Sequence, residues 1–136
     1  MKEKEKEIVG ELLSPDTIRR DILETFEYEY PGSEVDLNIS TDEFTCVCPK
    51  SGLPDFATIT VKYVPDLKCV ELKSLKFYLM SYRQVGIFHE HVVNRILGDF
   101  VDVVEPIRVT VFGDFKIRGG VHTTSEVSWE KEKKLS

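Results

Sequence analysis

The chain predicts an α+β domain: a curved, antiparallel four-stranded sheet with two helices inserted between its second and third strands. Three observations carry that expectation. Apolar residues recur with a period of two from Val35 to Val64, with a period near 3.6 from Leu72 to Val104, and again with a period of two from Arg108 to Trp129. The breaks between these stretches fall at proline and glycine: Pro49, Gly52 and Pro54, then Gly86, Pro106 and Gly119-Gly120. At 136 residues, 41% hydrophobic and 31% charged, the chain has the size and balance of one domain. Folding would remove about two thirds of the unfolded surface from water, enough for a core without disulfides.

Taken in order, residues 1–30 read as an N-terminal extension, partly frayed, because Met1 to Glu7 alternates in sign without an apolar face. Within it, Ser14-Pro15-Asp16 has the form of a helix start, and Ile18 to Phe26 reads as a short helix. Residues 31–130 form the single domain. Val35, Leu37 and Ile39 alternate with Asp36, Asn38 and Ser40 as a half-buried strand, which bends at Thr41-Asp42 and continues through Phe44 to Cys48. Phe56 to Val64 is the returning strand of a hairpin. Leu72, Leu75, Leu79 and Tyr82 mark one apolar stripe of a helix, and Val92 to Val104 that of a second, ended by Pro106. Arg108 to Ile117 and Val121 to Trp129 close the sheet, and residues 131–136 form a charged tail. Helices on one face of an antiparallel sheet give the α+β class. Such an open sheet leaves two edges that must be covered or paired, which predicts a homo-oligomer.

Composition excludes several classes of function. No apolar run is long enough to span a bilayer, and the charged start lacks the apolar stretch of a secretory signal. Three cysteines, an odd and small number, point to a reducing, cytoplasmic setting. A net charge of −6 argues against a whole-surface nucleic-acid binder.

Four features could carry chemistry. Cys48 ends a strand at a Gly/Pro-rich turn; at an ordinary thiol pKa only about 3% would be thiolate at neutral pH, so a nucleophilic role needs help nearby. Asp55 begins the return strand and can face Cys48 across the hairpin as a proton acceptor and donor. The alternative for Cys48 is a small buried hydrophobe. Cys46 and Cys69 do not complete a zinc set with it, and no metal site is expected. Second, Phe88-His89-Glu90-His91 opens the second helix; Val93 stands where the zinc-protease pattern needs histidine. Glu90 either complements the helix dipole or takes paired hydrogen bonds from the N–H/NH₂ edge of a guanine- or pterin-like base, with His89 beside it as a donor or an interior histidine. Third, Lys73, Lys76 and Arg83 lie within about a quarter turn of one another, a phosphate-binding stripe or a solvated face. Fourth, Arg118-Gly119-Gly120 combines a guanidinium fork with a tight turn. No glycine-rich dinucleotide fingerprint is present.

Together, Cys48-Pro49-Lys50-Ser51-Gly52-Leu53-Pro54-Asp55-Phe56-Ala57, Glu71-Leu72-Lys73-Ser74-Leu75-Lys76-Phe77-Tyr78, Ser81-Tyr82-Arg83, Phe88-His89-Glu90 and Arg118-Gly119-Gly120 resemble the NADPH-dependent 7-cyano-7-deazaguanine (preQ0) reductases of queuosine biosynthesis, in their short single-domain form. The resemblance covers about residues 34–125. It implies the tunnelling fold, an oligomeric barrel of stacked pentameric rings with sites between subunits, and reduction of the preQ0 nitrile to the primary amine preQ1. By motif it implies Cys48 as nucleophile forming a thioimide, Asp55 as proton-transfer acid, and Glu90, His89, Glu71 and Leu72 as substrate-binding. Lys73, Lys76 and Arg118 would hold NADPH. It implies neither direct nucleic-acid binding nor membrane association. Ser51, Leu53 and Gln84 depart from the threonine, glutamine and asparagine common in the family, which touches loop hydrogen bonding. A homologous tRNA-acting, amidine-forming enzyme lacks the Lys73–Lys76 motif; a non-catalytic purine- or pterin-binding ring protein is the other alternative.

Overall fold

Two long hairpins build the main sheet in the computed structural model, which describes residues 2–132. The elements are α1 (Glu3–Val9), β1 (Thr25–Glu27), β2 (Leu37–Val47), β3 (Pro54–Val64), β4 (Lys68–Val70), α2 (Leu72–Met80), α3 (His89–Val104), β5 (Arg108–Arg118) and β6 (Val121–Glu130). The sheet order is β2-β3-β5-β6, antiparallel throughout. This is the predicted strand–strand–helix–helix–strand–strand order, with both helices between the second and third long strands. The bend expected at Thr41-Asp42 is a register shift between Thr41 and Phe44 inside a continuous strand, and such a bulge increases local twist.

Alternation sorts the strands into two faces. Phe44, Cys46, Ala57, Ile59, Val61, Val111 and Phe115 point toward the helices and are buried. Asn38, Ser40, Thr60 and Lys62, on the other face, keep contact with water. Leu75 and Leu79 of α2 and Val92, Val93, Ile96, Phe100 and Val104 of α3 complete the core. Ile96 is 1% exposed, and truncating such a residue to alanine costs about 2–5 kcal/mol. Helix α3 ends where Glu105 takes a left-handed conformation (φ 52°), one residue before Pro106.

The two helices are also tied by a buried polar network. The Tyr78 hydroxyl donates to Asp99 (2.6 Å), the Tyr78 and Tyr82 hydroxyls lie 2.8 Å apart, and Arg95 Nε donates to Asp99 at 2.9 Å. Burial drives both tyrosine hydroxyls well above their ordinary value, so they stay protonated and able to donate. A fully partnered network of this kind fixes one relative position of two helices.

The N-terminal region departs from expectation. Ser14 does cap a turn, its Oγ accepting from the Asp16 amide (3.2 Å), but the turn is one short 3-10 stretch, Pro15–Thr17. The helix expected from Ile18 to Phe26 is absent: Arg20–Ile22 is another 3-10 turn, and Thr25–Glu27 is strand β1, paired antiparallel with β4. Tertiary bonding overrides the local pattern here. The Glu24 amide donates to Ser74 Oγ (2.9 Å) and its carbonyl accepts from the Glu71 amide (2.9 Å), which draws the chain out of a helix and beside residues 68–70. Helix α1 buries no residue. Among the described residues no helix is long and apolar enough to cross a membrane.

Candidate active site

The helix-facing side of the sheet ends where β2 turns into β3, below the start of α3. Strand β2 delivers Val47 and then Cys48, which is half-buried. The turn closes through the Cys48 amide to the Leu53 carbonyl (2.9 Å) and the Gly52 amide to the Cys48 carbonyl (2.8 Å). Gly52 adopts φ 74°, which glycine tolerates without strain. The register pairs Asp55 with Cys46, not with Cys48, and Val47 with Pro54. Paired residues share a face, so Asp55 lies on the helix side, buried, with Cys48 continuing that face beyond Cys46.

Three elements meet at the Asp55 carboxylate. His89 Nε2, at the first residue of α3, lies 3.1 Å from Oδ2. Arg118 Nη2, at the end of β5, lies 3.2 Å from Oδ1 and also donates to the Pro54 carbonyl. The His89 ring is stacked on Phe115, with centroids 3.7 Å apart and planes 8° from parallel.

Burial, the largest single influence, pushes the Cys48 thiol up, and the Asp55 charge adds to that. Hydrogen bonds from the Ser51 hydroxyl and from the Ser51 and Lys50 amides outweigh both, so the thiol titrates below its ordinary value. A thiolate held by donors in its own turn is the form that attacks electrophiles. Cys46 is the opposite case. Burial foremost, then the charges of Asp55 and Cys48, push it up to about 12, and it serves as a small core hydrophobe.

The structure therefore brings Asp55, His89 and Arg118 into contact, near enough to Cys48 for the Asp55 charge to act on its thiol. Glu90 lies beside them in the first turn of α3, exposed. Glu71, Leu72, Lys73 and Lys76 form a second group on α2, and among the described residues no hydrogen bond or ion pair joins it to the first. The Glu71 carboxylate caps α2, accepting from the Ser74 (2.6 Å) and Lys73 (3.0 Å) amides. Those bonds, the Ser74 amide foremost, hold its carboxyl below the ordinary range. Leu72, Lys76 and Arg83 border an apolar cavity of about 430 Å³ between α2 and the β2–β3 side of the sheet. Lys73, Lys76 and Arg83 make no ion pair among the described residues. Lys73 and Lys76 lie on α2 and Arg83 in the turn just beyond its end; cations so placed suit a phosphate-bearing cofactor. Sequence reasoning did not single out Phe115, whose only signal was its place in an alternating strand, nor the donor role of Ser51.

An antiparallel sheet with two helices on one face, carrying a carboxylate clamped by an imidazole and a guanidinium beside a cysteine-bearing turn, defines a candidate enzyme site on a tunnelling-fold domain. Sequence comparison narrows the class. A family model described as QueF-like protein matches residues 54–134. The chain is 49% identical over 116 residues to the NADPH-dependent 7-cyano-7-deazaguanine reductase of Chloroherpeton thalassium, covering 85% of this chain and 100% of the relative. It is 46% identical over 133 residues to the enzyme of that name from Thermoanaerobacter pseudethanolicus, covering 98% and 100%. It is 54% identical over 109 residues to that from Thermomicrobium roseum, covering 80% and 85%. A crystal structure of the archaeosine synthase QueF-Like in the apo form shares the fold, with a TM-score of 0.65 at 24% identity over 76% of this chain and all of the other. The chain belongs to the QueF-like family, among its NADPH-dependent 7-cyano-7-deazaguanine reductases.

Proposed function

We propose that this protein reduces the nitrile of 7-cyano-7-deazaguanine to the aminomethyl group with NADPH, in the biosynthesis of queuosine, through a thioimide on Cys48. One observation carries the reading of the chemistry: the Cys48 thiol is lowered by donors in its own turn on the sheet face where Asp55 is held by His89 and Arg118. A nitrile carbon is a poor hydride acceptor. Addition of the Cys48 sulfur, with a proton to nitrogen, converts it to a C=N carbon that accepts hydride readily. After the first hydride the carbon–sulfur bond breaks, Cys48 leaves as thiolate and an imine remains. A second hydride and proton yield the amine, so nitrile, two NADPH and two protons give amine and two NADP⁺.

Asp55 holds and returns the protons at nitrogen, oriented by His89 and Arg118. Lys73 and Lys76 bind the cofactor phosphates, with Arg118 able to join them; the cofactor supplies the hydrides. Glu90 grips the base edge opposite the nitrile, which fixes the reacting carbon against sulfur. Glu71 and Leu72 border the substrate from α2. Separation of the α2 group from Cys48 within one chain, and the outer edges of β6 and of β2 before Val47, which pair with no strand among the described residues, support assembly into rings in which neighbouring subunits complete each site. No direct nucleic-acid contact is part of this reading, and the enzyme works in the cytoplasm.

The test is mass spectrometry of the protein mixed with preQ0 alone. A covalent adduct is expected, and Cys48→Ala abolishes it; an adduct persisting in that variant overturns the nucleophile. Addition of NADPH consumes about two equivalents per amine formed. An adduct without NADPH oxidation would place the chain with the amidine-forming enzymes instead.

A further inference from the structure

The turn that carries Cys48 leans on a small parallel ladder made by three distant segments. Residues 85–87, which lead directly into His89, run beside the end of β2: the Val47 amide donates to the Val85 carbonyl (2.9 Å) and the Ile87 amide to the Val47 carbonyl (3.0 Å). On the other side of the same segment lies the N-terminal extension. The Leu13 amide donates to the Gln84 carbonyl (2.8 Å) and the Gly86 amide to the Leu13 carbonyl (3.0 Å). Val47 directly precedes Cys48, and Ile87 stands two residues before His89. The middle segment thus connects nucleophile and imidazole, and residues 11–13 close its free edge.

Side chains reinforce the arrangement. A Cβ on Gly86 would lie 3.4 Å from Leu12 Cδ1 and 3.7 Å from Pro49 Cα, so the extension and the Cys48 turn meet across this glycine. Val85 beneath is fully buried. Arg95 Nη1, in the network that joins α2 and α3, donates to the Pro15 carbonyl (3.1 Å) and pins the extension's far end.

We propose that residues 11–15 are a strap that positions Cys48 against Asp55 and His89, a positioning element in an extension whose sequence read as only partly frayed. Without the strap the Gln84 carbonyl and Gly86 amide lose their partners. The ladder then holds Val47, and with it the Cys48 turn, less firmly. Displacement of a reacting group by about 1 Å can cost 100-fold in rate.

The titratable and charged groups of the site are Lys50 in the Cys48 turn, Cys46 of β2, Asp55 of β3, His89 of α3 and Arg118 of β5; Lys6 and Glu11 of the extension border Pro49. Four variants of the full chain separate backbone support from charge: deletion of residues 2–9, deletion of residues 2–15, Leu13→Pro, which removes one ladder amide, and Glu11→Gln. Each is read by the pH profile of Cys48 alkylation with iodoacetamide and by kcat and KM for preQ0. Deletion of residues 2–9 leaves both readouts as in the parent. Deletion of residues 2–15 and Leu13→Pro move the alkylation midpoint up toward an ordinary thiol and lower kcat by about tenfold or more, with KM changed less. Leu13→Ala, which keeps the amide, loses less than Leu13→Pro.

An unchanged profile and kcat in folded Leu13→Pro overturns the strap, and so does Glu11→Gln reproducing the long deletion. If the long deletion does not fold, Leu13→Pro decides. The kcat arm rests on the proposed reductase reading. Alkylation reports on the thiol without preQ0, so failure of that reading and failure of the strap are told apart.

Discussion

His89 Nε2 stands 3.1 Å from Asp55 Oδ2 while the same imidazole lies flat on Phe115, 8° from parallel. The stack fixes the plane of the ring, and the helix start fixes its origin, so Nε2 is directed at the carboxylate. Arg118 occupies the other oxygen at 3.2 Å. Asp55 therefore sits in one orientation beside the Cys48 face of the sheet, the condition a proton-transfer group needs.

Replacing Asp55 by asparagine keeps the shape and one acceptor oxygen but removes the exchangeable carboxyl proton. The expected result is a fall in kcat of about 10²–10⁴-fold with a folded protein and little change in KM. Steady-state NADPH oxidation with preQ0 measures it. Near-normal kcat would put the proton donor elsewhere in the site.

The lowered thiol has a definite sign in pH. Hydrogen bonds from Ser51 and Lys50 favour the thiolate, so alkylation of Cys48 rises with pH through a midpoint below the ordinary thiol value. The same preference stabilises the fold in full above that ordinary value and is lost as pH falls through the lower folded one. Ser51→Ala removes one donor and moves the midpoint up, slowing alkylation at neutral pH. Ser51→Thr keeps the hydroxyl and the profile. A midpoint in Ser51→Ala equal to that of the parent would remove the hydroxyl from the account.

Among the described residues the Glu90 carboxylate, on the exposed side of the first turn of α3, makes no hydrogen bond or ion pair, while its backbone carbonyl accepts from Asn94 Nδ2 (2.8 Å). A pure dipole role predicts a loss of stability of about 0.3–1 kcal/mol on Glu90→Ala and unchanged substrate affinity. A base-gripping role predicts weaker preQ0 binding by about 2–5 kcal/mol, because buried donors of the ligand lose their acceptor. The second outcome is expected in calorimetric titration of the Cys48→Ala background, where no adduct forms.

Periodicity carried most of the fold. The stripes of Val92 to Val104 and the alternation of Val109, Val111 and Phe115 are direct consequences of burying one face, and they appear in the structure where the pattern puts them. The stretch from Ile18 to Phe26 failed for a long-range reason: Glu24 is held by Ser74 and Glu71, about fifty residues away, and no local signal encodes those bonds. The site divides the same way. Cys48, Asp55 and the His89-Glu90 pair were visible as chemistry at strand and helix ends. The clamp of Arg118 on Asp55, the stack of Phe115 under His89 and the strap at Leu13 depend on elements meeting in space.

Gly113 tests how far the site depends on the packing beneath it. It is buried in the middle of β5, opposite Ile59 of β3 and Ser125 of β6. Its φ does not demand glycine; the space does. A Cβ there would lie 2.9 Å from Phe115 Cε2 and 3.2 Å from Val93 Cγ1 of α3. The Phe115 ring is the closer contact, so relief of the clash is expected to turn it, and with it the His89 ring stacked on it. Gly113→Ala is expected to cost about 1–3 kcal/mol in stability, the usual penalty for overpacking a core, read by thermal or urea unfolding. It is also expected to lower kcat at temperatures far below unfolding, because Nε2 no longer faces Asp55. Loss of stability with kcat intact would mean that His89 keeps its aim without Phe115, and would return that phenylalanine to the core alone.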